Sequence, residues 1–543
     1  MAEYHMSCGC SWPIVGDSPR QGALPLLDVD VSKLPDCHLA WDIMSIGNTK
    51  GVFQLESRLG ATWAKKLRPR NDEHLSALGA LLRPGCLAAK DENGISLTEH
   101  YCRRVNKEEP ADSFDPALDE ILGPTEQILV YQEQAMQIGA KFAGFDLKNV
   151  DRLRKAIGKK DQKEMAEVKR LFLEGAEKVK VVSMDVAETV WGWIEKAGRY
   201  SFNKSHSMSY GLTGYDTAYL KSHFPVQFYT SWLAYAEDKV DPDQEVMELV
   251  EDARRAGITV FPPDVRHKQM IFWTDGVDIF FGLSNIKGLG QSNLHKLFEI
   301  MEKAEKDLGK KSTEFTWVEW LVHVAAETPS VNHKLIMAGA LDWAGRKRQR
   351  MLAEIDVVAS LTKKEQAWIL KNCNGDEPFV DVLRRLAKPK KEGGGVANVK
   401  RGSLVNGQAT LLENPPTPLS DHPAWMAWAE EQVFGFALTC SRVDGCDLGD
   451  ANTTCGEFLA GKTGFLLLGV EVRGVRSFKT KKGTMMAFLS LSDSSGMLDD
   501  VVCFSEPWEE YKHLLSEGNT VLVQGERDPK KGSLVVRKVF QMS

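Results

Sequence analysis

The stretch RYSFNKSHSMSYGLTGYDTAYLK, Arg199 to Lys221, joins a basic polar cluster to a run of small residues in one amphipathic segment. If the part after Phe202 is helical, Lys204, Met208, Gly211 and Tyr215 recur at i, i+4, i+7 and i+11 and share one face. An ammonium group then stands beside a smooth surface. Nucleotide polymerisation needs both: a fixed cation where negative charge collects as pyrophosphate leaves, and a flat floor for a base pair. Taken alone, the pattern reads first as a buried helix that uses small residues for close packing while Lys204 snorkels to solvent.

Working outward, GVFQLES (Gly51 to Ser57), LLRPG (Leu81 to Gly85), VYQEQAMQI (Val130 to Ile138) and LRKAIGKK (Leu153 to Lys160) precede FNKSHS (Phe202 to Ser207) in a fixed order. Together these five segments resemble the fingers of the bacterial replicative DNA polymerase III alpha subunits, the C-family polymerases, and the similarity continues intermittently toward the C-terminus. The resemblance implies that Arg154 and Lys155 face the incoming triphosphate, with Lys159 and Lys160 near phosphate or template backbone. Arginine offers a planar fork and lysine a compact charge, and both neutralise phosphate oxygens without a protonation change. Beside Lys204, the residues Arg83, Gln132, Asn203, Ser205 and His206 are candidates for hydrogen bonds to nucleotide, template or the groups behind them. His206 fits a satisfied core histidine as well.

The same resemblance implies a PHP domain and a palm with three catalytic aspartates ahead of GVFQLES, where this sequence has 50 residues. No catalytic residue is therefore assigned within the chain, and Mg2+ is expected to be held mainly by a partner palm and the dNTP. Asp28 and Asp30, in LDVDVSKLPD, imitate a metal pair, since alternate strand residues point to one side. The segment aligns better with an acidic lead-in to the fingers. Cys8 and Cys10, with His5 nearby, lack the second ligand pair that a zinc site needs. No metal site is expected.

Composition is that of an ordinary globular chain: 543 residues, 43% hydrophobic, 26% charged and a net charge of −7. Such a length suggests three or four domains. No apolar run approaches the roughly 20 residues that cross a bilayer, and there is no signal-peptide pattern, so no membrane partner and a cytoplasmic location are expected. Ten cysteines without framework spacing read as reduced thiols. Cations cluster locally at Lys65, Lys66, Arg68 and Arg70, at Arg152 to Lys160, and at Arg346, Lys347, Arg348 and Arg350.

Downstream, a charged helix over about Pro242 to Ala256 and a short strand at Ile258 to Phe261 lead to GLSNIKGLGQSN. Ile286, Lys287, Gly288, Leu289 and Gly290 fit the turn of a helix-hairpin-helix, whose glycines let backbone N–H groups approach a DNA phosphate beside a helix N-terminus. Such a contact grips duplex without reading sequence. From about Ala387 to Pro418 glycines, lysines and prolines read as a linker. Within it, Gln408 to Leu412 (QATLL) resembles the internal motif by which these polymerases bind the sliding clamp. Gln408, Leu411 and Leu412 would enter the clamp, although Leu412 replaces the commoner aromatic; leucines packed on the next helix are the alternative. Gly464 to Met542 reads as five strands with a helical segment near Trp508 to Leu515, which fits an OB-fold. By resemblance Phe478, Lys479, Lys481, Lys482 and Phe488 would meet single-stranded template, or Phe488 would lie in the core.

The expected fold class is multidomain α+β: mostly helical fingers and a helix-hairpin-helix and clamp-binding region, followed by a C-terminal β-barrel OB-fold. The expected boundaries are a lead-in at 1–50, fingers at 51–230, their end with the hairpin and clamp-binding domain at 231–386, a linker with the clamp motif and a short helix at 387–462, and the barrel at 463–543. The function implied is the C-terminal part of a split replicative DNA polymerase of bacterial or phage origin, inactive alone. Its expected partners are primer-template DNA, dNTP, a palm- and PHP-bearing chain and a sliding clamp. The alternatives are a non-enzymatic DNA-binding or processivity factor derived from such a polymerase, and a chain that polymerises alone through Asp28 and Asp30.

Overall fold

The computed structural model describes residues 34–543 except 89, 160–161, 198–200, 374–376, 481–482, 530–531 and 543. Asp28, Asp30, Cys8, Cys10, Lys160, Lys481 and Lys482 lie outside the described residues. The chain divides into two compact units, with the break at Phe228/Tyr229.

The first unit is helical and has two cores. Helices α1 (His38–Ser45), α2 (Arg58–Leu67), α3 (Asp72–Leu81) and α4 (Leu97–Val105) pack with the long α9 (Lys204–His223) around Trp41, Met44, Leu78, Tyr101 and Tyr219. A second core forms where α5 (Gln132–Ala143), α6 (Leu147–Lys159), α7 (Gln162–Val179) and α8 (Met184–Ala197) enclose Phe142, Leu153, Phe172, Trp191 and Ile194. The stretch after Phe202 is helical as its pattern predicts. Its small residues serve close packing: a Cβ on Gly211 would stand 3.1 Å from the Ser76 nitrogen, and one on Gly214 would stand 3.3 Å from the Phe53 oxygen. Tyr215 is buried with its hydroxyl donating to the Pro35 carbonyl. The face running from Lys204 to Tyr215 is thus open only at its Lys204 end.

In the second unit α10 (Pro242–Arg255) leads into a three-stranded sheet of β1 (Val260–Phe261), β2 (Trp273–Thr274) and β3 (Ile279–Phe280), ordered β1-β3-β2. Helices α11 (Gln291–Leu308), α12 (Pro329–Met337) and α13 (Arg348–Ala359) follow. The region read as a linker folds. Helices α14 (Phe379–Leu386), α15 (Val399–Glu413) and α16 (Pro423–Phe434) occupy much of it and its approach. The physical reason is a stripe at i, i+4 and i+7: Val405, Ala409 and Leu412 are all buried. Gly402 permits close approach, since a Cβ there would meet the Ala387 carbonyl oxygen at 2.3 Å. Of the glycines that suggest flexibility, Gly402 is a contact point of this packed helix, while Gly393 to Gly395 precede it.

The C-terminal strands β4 (Leu466–Lys479), β5 (Met485–Asp493), β6 (Gly496–Cys503), β7 (Thr520–Arg527) and β8 (Leu534–Gln541) close into a barrel ordered β4-β5-β6-β8-β7. Leu468, Val470, Leu489, Val523 and Val536 fill it. This is the five-stranded closed barrel expected of an OB-fold. Its helix, α17, runs over Ser505–Tyr511, somewhat ahead of the expected position.

Candidate nucleotide and nucleic-acid interface

Four of the five segments meet at the head of α9. Tyr131 bridges to Phe202 as an isolated parallel pair, and the Gln132 N–H donates to the Phe202 carbonyl at 2.9 Å. Asn203 caps α9 by accepting from the His206 N–H at 2.9 Å, and its Nδ2 donates to Glu133 Oε1 at 2.8 Å. The Ser205 hydroxyl donates back to Asn203. Asn203 and Ser205 therefore spend their hydrogen bonds fixing the helix start. Lys204 is positioned by the same frame: its N–H donates to Glu133 Oε2, its Nζ lies 3.2 Å from Glu73 Oε1 and 5.6 Å from the Tyr131 ring centre. The ammonium is half-exposed and paired.

Around α9 from Lys204 lies a cleft of about 240 Å³. Its floor is Gly79, Gly211 and Gly214, and its wall is a row of rings. The Arg83 guanidinium lies 3.8 Å over Phe202, His206 stands 4.2 Å from Tyr210, and Tyr210 stands 5.1 Å from Phe53. A flat floor, aromatic faces and one guanidinium are what a nucleobase with a phosphate tail requires. His206 is an exposed member of this wall and is no core histidine. Phe53 and Tyr210 are members that the sequence reading misses, as it misses Glu73, the partner of Lys204. The i, i+4, i+8 spacing of Phe202, His206 and Tyr210 is the signal that could have found the ring row.

LRKAIGKK, the fifth segment, lies on α6 in the other core. Arg154 and Lys155 are exposed, and both reach Asp151, one helical turn back, at 2.7 Å. Arg152 pairs with Glu164 at 2.7 Å. No hydrogen bond or ion pair among the described residues joins Arg154 or Lys155 to Lys204. The Lys159 side chain lies outside the described residues. Of the other cation groups, Lys66 pairs with Glu99, and Arg348 is buried between Asp342 and Glu430.

Asp216, on α9, has its carboxyl pushed up to about 6 by burial and then by the negative charge of Asp72. A carboxyl whose folded pKa exceeds its ordinary 3.8 binds the proton more tightly in the folded chain, so stability is lost as pH rises from about 4 to about 6. Asp216→Asn should therefore raise the melting temperature of the chain at pH 7.5 and leave it unchanged at pH 4. An equal shift at both pH values would assign the effect to packing instead.

In the second unit the IKGLG turn precedes α11. Ile286 and Leu289 are buried anchors whose apolar side chains pin the loop to the core. The Lys287 N–H donates to the Val433 carbonyl at 2.8 Å and its Nζ pairs with Asp243. Gly288 has φ +75°, and a Cβ there would meet Lys334 Nζ at 1.9 Å. Gly290 caps α11 with open space around it. The positive end of α11 begins at Gly290, and beside it the Lys334 ammonium donates to the Lys287 carbonyl at 3.3 Å.

On the barrel, Phe478 and Lys479 are exposed near the end of β4. Phe478 and Phe488 stack at 5.5 Å with their planes 19° apart, and Arg476 sits 5.3 Å over Phe488. Phe488 is half-buried on the outer surface, which settles its alternative placement in the core. Arg476, its register partner on β4, joins the candidates. In the QATLL segment, which is helical within α15, the Gln408 amide donates to the Ser360 hydroxyl at 2.7 Å, Leu412 is 3% exposed and Leu411 is 60% exposed. Only Leu411 of its two terminal leucines is presented to solvent.

Residues 25–180 match the family of the bacterial DNA polymerase III alpha subunit finger domain, and residues 257–351 match a helix-hairpin-helix motif. The chain is 30% identical to the DNA polymerase III subunit alpha of Aquifex aeolicus over 95% of its own length and 40% of that protein. It is 32% identical to that of Deinococcus radiodurans over 93% of this chain and 36% of the relative. The Thermus aquaticus subunit is 33% identical, with 92% of this chain and 38% of the relative covered. The chain thus spans about two fifths of the length of the curated relatives it matches. No described helix is long and apolar enough to cross a membrane.

Proposed function

We propose that this chain, which corresponds in sequence and domain order to a C-terminal part of the DNA polymerase III alpha subunits, supplies the fingers and the DNA grips of a replicative DNA polymerase. The observation that carries the reading is the meeting of four separate segments at the head of α9, where three of them line one cleft and the fourth fixes Lys204 through Glu133. In this reading the incoming dNTP lays its base against Tyr210 and His206. Its phosphates exchange with Glu73 for the Lys204 ammonium, which then faces the charge that grows on the departing pyrophosphate. The α11 end holds duplex backbone, and Phe478, Phe488 and Arg476 stack and neutralise unpaired template.

Mg2+ is assigned to a palm-bearing partner chain and the dNTP. The described residues contain no group of three carboxylate, histidine or cysteine side chains that could hold a metal, and Glu73 and Glu133 are committed to Lys204 and Asn203. No step is therefore routed through a metal on this chain. One observation favours the alternative of a non-enzymatic DNA-binding factor: Arg154, Lys155 and Lys204 are each paired with a carboxylate. Primer extension separates the two, since only the polymerase reading requires this chain for dNTP incorporation beside a palm-bearing chain.

Clamp attachment is assigned to the exposed side of α15, where Leu404 and Leu411 lie seven residues apart with Gln408 between them. Leu411→Ala should weaken binding to a sliding clamp about tenfold, as the loss of one apolar anchor, with little dependence on salt. Leu412→Ala should chiefly loosen α15. Titration calorimetry with the clamp checks this, and unchanged affinity in the Leu411 variant would remove the motif from the interface.

A further inference from the structure

The three-stranded sheet of the second unit turns its alternate residues to opposite faces. Val260 and Ile279 are buried beneath it. On the outer face Phe261, Phe280 and Trp273 are register partners across all three strands. Their rings stack at 5.3 and 4.4 Å with planes 20° and 16° apart, and His267 extends the row at 5.1 Å from Trp273. Phe261, at the open end, is 40% exposed. Phe280 and Trp273 are half-buried within the stack, and Phe261 ends it with an exposed ring.

Beside His267, Arg266 enters a pocket of about 630 Å³ that it lines with Trp343, Arg346 and two threonines, Thr313 and Thr316. Asp264 takes the Nε and Nη2 edge of Arg266 at 3.0 and 2.6 Å, which fixes the guanidinium 5.0 Å from the Trp343 ring and leaves Nη1 without a bond to Asp264. Arg346 stands 3.9 Å from Glu354, whose carboxylate is already bonded to Arg350 and to the Trp317 indole. The Trp343 Nε1 is buried with no partner among the described residues. The pocket therefore gathers two guanidiniums and the Trp343 indole, with Asp264 on one edge of Arg266, Glu354 near Arg346 and Glu314 in the lining.

We propose that the pocket and the ring row form one binding path for single-stranded DNA, separate from the barrel face. Arg266 and Arg346 take a backbone phosphate, and the open face of Phe261 takes an unpaired base in continuation of the stack. A cationic seat joined to an aromatic surface is the pattern by which unpaired strands are held, because every base offers a π face and every link a phosphate. Paired bases cannot reach the ring row. The proposal rests on the reading of this chain as DNA-binding.

The test uses the full chain carrying Arg476→Ala and Phe478→Ala, so that the barrel contributes little. The probes are a fluorescein-labelled oligothymidylate of about 20 nucleotides and a duplex of the same length, followed by anisotropy across a salt series. Phe261→Ala, at an exposed position, should weaken oligothymidylate binding about tenfold and leave duplex binding unchanged. Arg346→Gln should lower the slope of log affinity against log salt by about 0.7 for the single strand alone. Unchanged oligothymidylate binding in both variants would overturn the proposal, as would equal losses on duplex, which would make the pocket a duplex contact. Failure of the parent chain to bind either probe would instead overturn the DNA-binding reading on which the proposal stands.

Discussion

Replacing Lys204 by alanine should slow single-nucleotide incorporation about 100-fold in an enzyme reconstituted with a palm-bearing chain, while primer-template affinity stays within about twofold. The size follows from where the charge acts. An ammonium that meets phosphate oxygens as negative charge accumulates contributes more to the transition state than to the bound substrate, and removing such a donor costs roughly 2.7–4 kcal/mol. Lys204 is positioned by two carboxylates from different helices, Glu73 through its ammonium and Glu133 through its backbone N–H. Glu73→Gln supplies the control. It frees the ammonium without moving it, so it should tighten dNTP binding and leave the maximal rate close to that of the parent. Rapid-quench measurement of both variants checks the pair. Equal losses of rate and DNA affinity in Lys204→Ala would make the residue a template contact.

The second large effect is on stability. Arg348→Met should destabilise the second unit by about 3–5 kcal/mol, because it leaves a buried carboxylate unpaired. The Arg348 side chain is 2% exposed and bonds Glu430 at 2.9 Å and Asp342 at 2.7 Å. Glu430 is wholly buried and also accepts the Leu438 and Thr439 N–H groups, so it joins α16 to the start of α13. Burial alone would lower the arginine pKa, yet its two carboxylates hold it above the ordinary value. Adding Glu430→Gln to the arginine variant should recover much of the loss, since it removes the stranded charge. Urea unfolding followed by tryptophan fluorescence checks the cycle. A loss below about 1 kcal/mol for Arg348→Met would show that water reaches Glu430.

What the sequence discloses depends on how local the cause is. The barrel strands alternate with turn residues between them, and β4 to β8 fall where that alternation places them. The α10 helix and the IKGLG turn are legible for the same reason. The pairing of Arg154 and Lys155 with Asp151 was also within reach, being three and four residues apart. The pairing of Lys204 with Glu73 was not, because the two lie 131 residues apart and meet only when α3 packs on α9. In 399–413 composition and spacing point opposite ways: Val405, Ala409 and Leu412 are a helical stripe among residues that look like a tether, and the stripe decides the fold. The face shared by Lys204, Gly211 and Tyr215 turns under α3 and α1 after its first turn, so Tyr215 is buried against Trp41 while Gly211 lines the cleft with Gly79 and Gly214.

The most direct measurement of the central claim is single-turnover primer extension with magnesium and one correct dNTP, using this chain alone, a palm-bearing polymerase chain alone, and the two together. The account predicts incorporation only in the mixture, and about a hundredfold less of it when Lys204 is alanine. Extension by this chain without a partner, or extension by the partner that this chain does not accelerate, would contradict it.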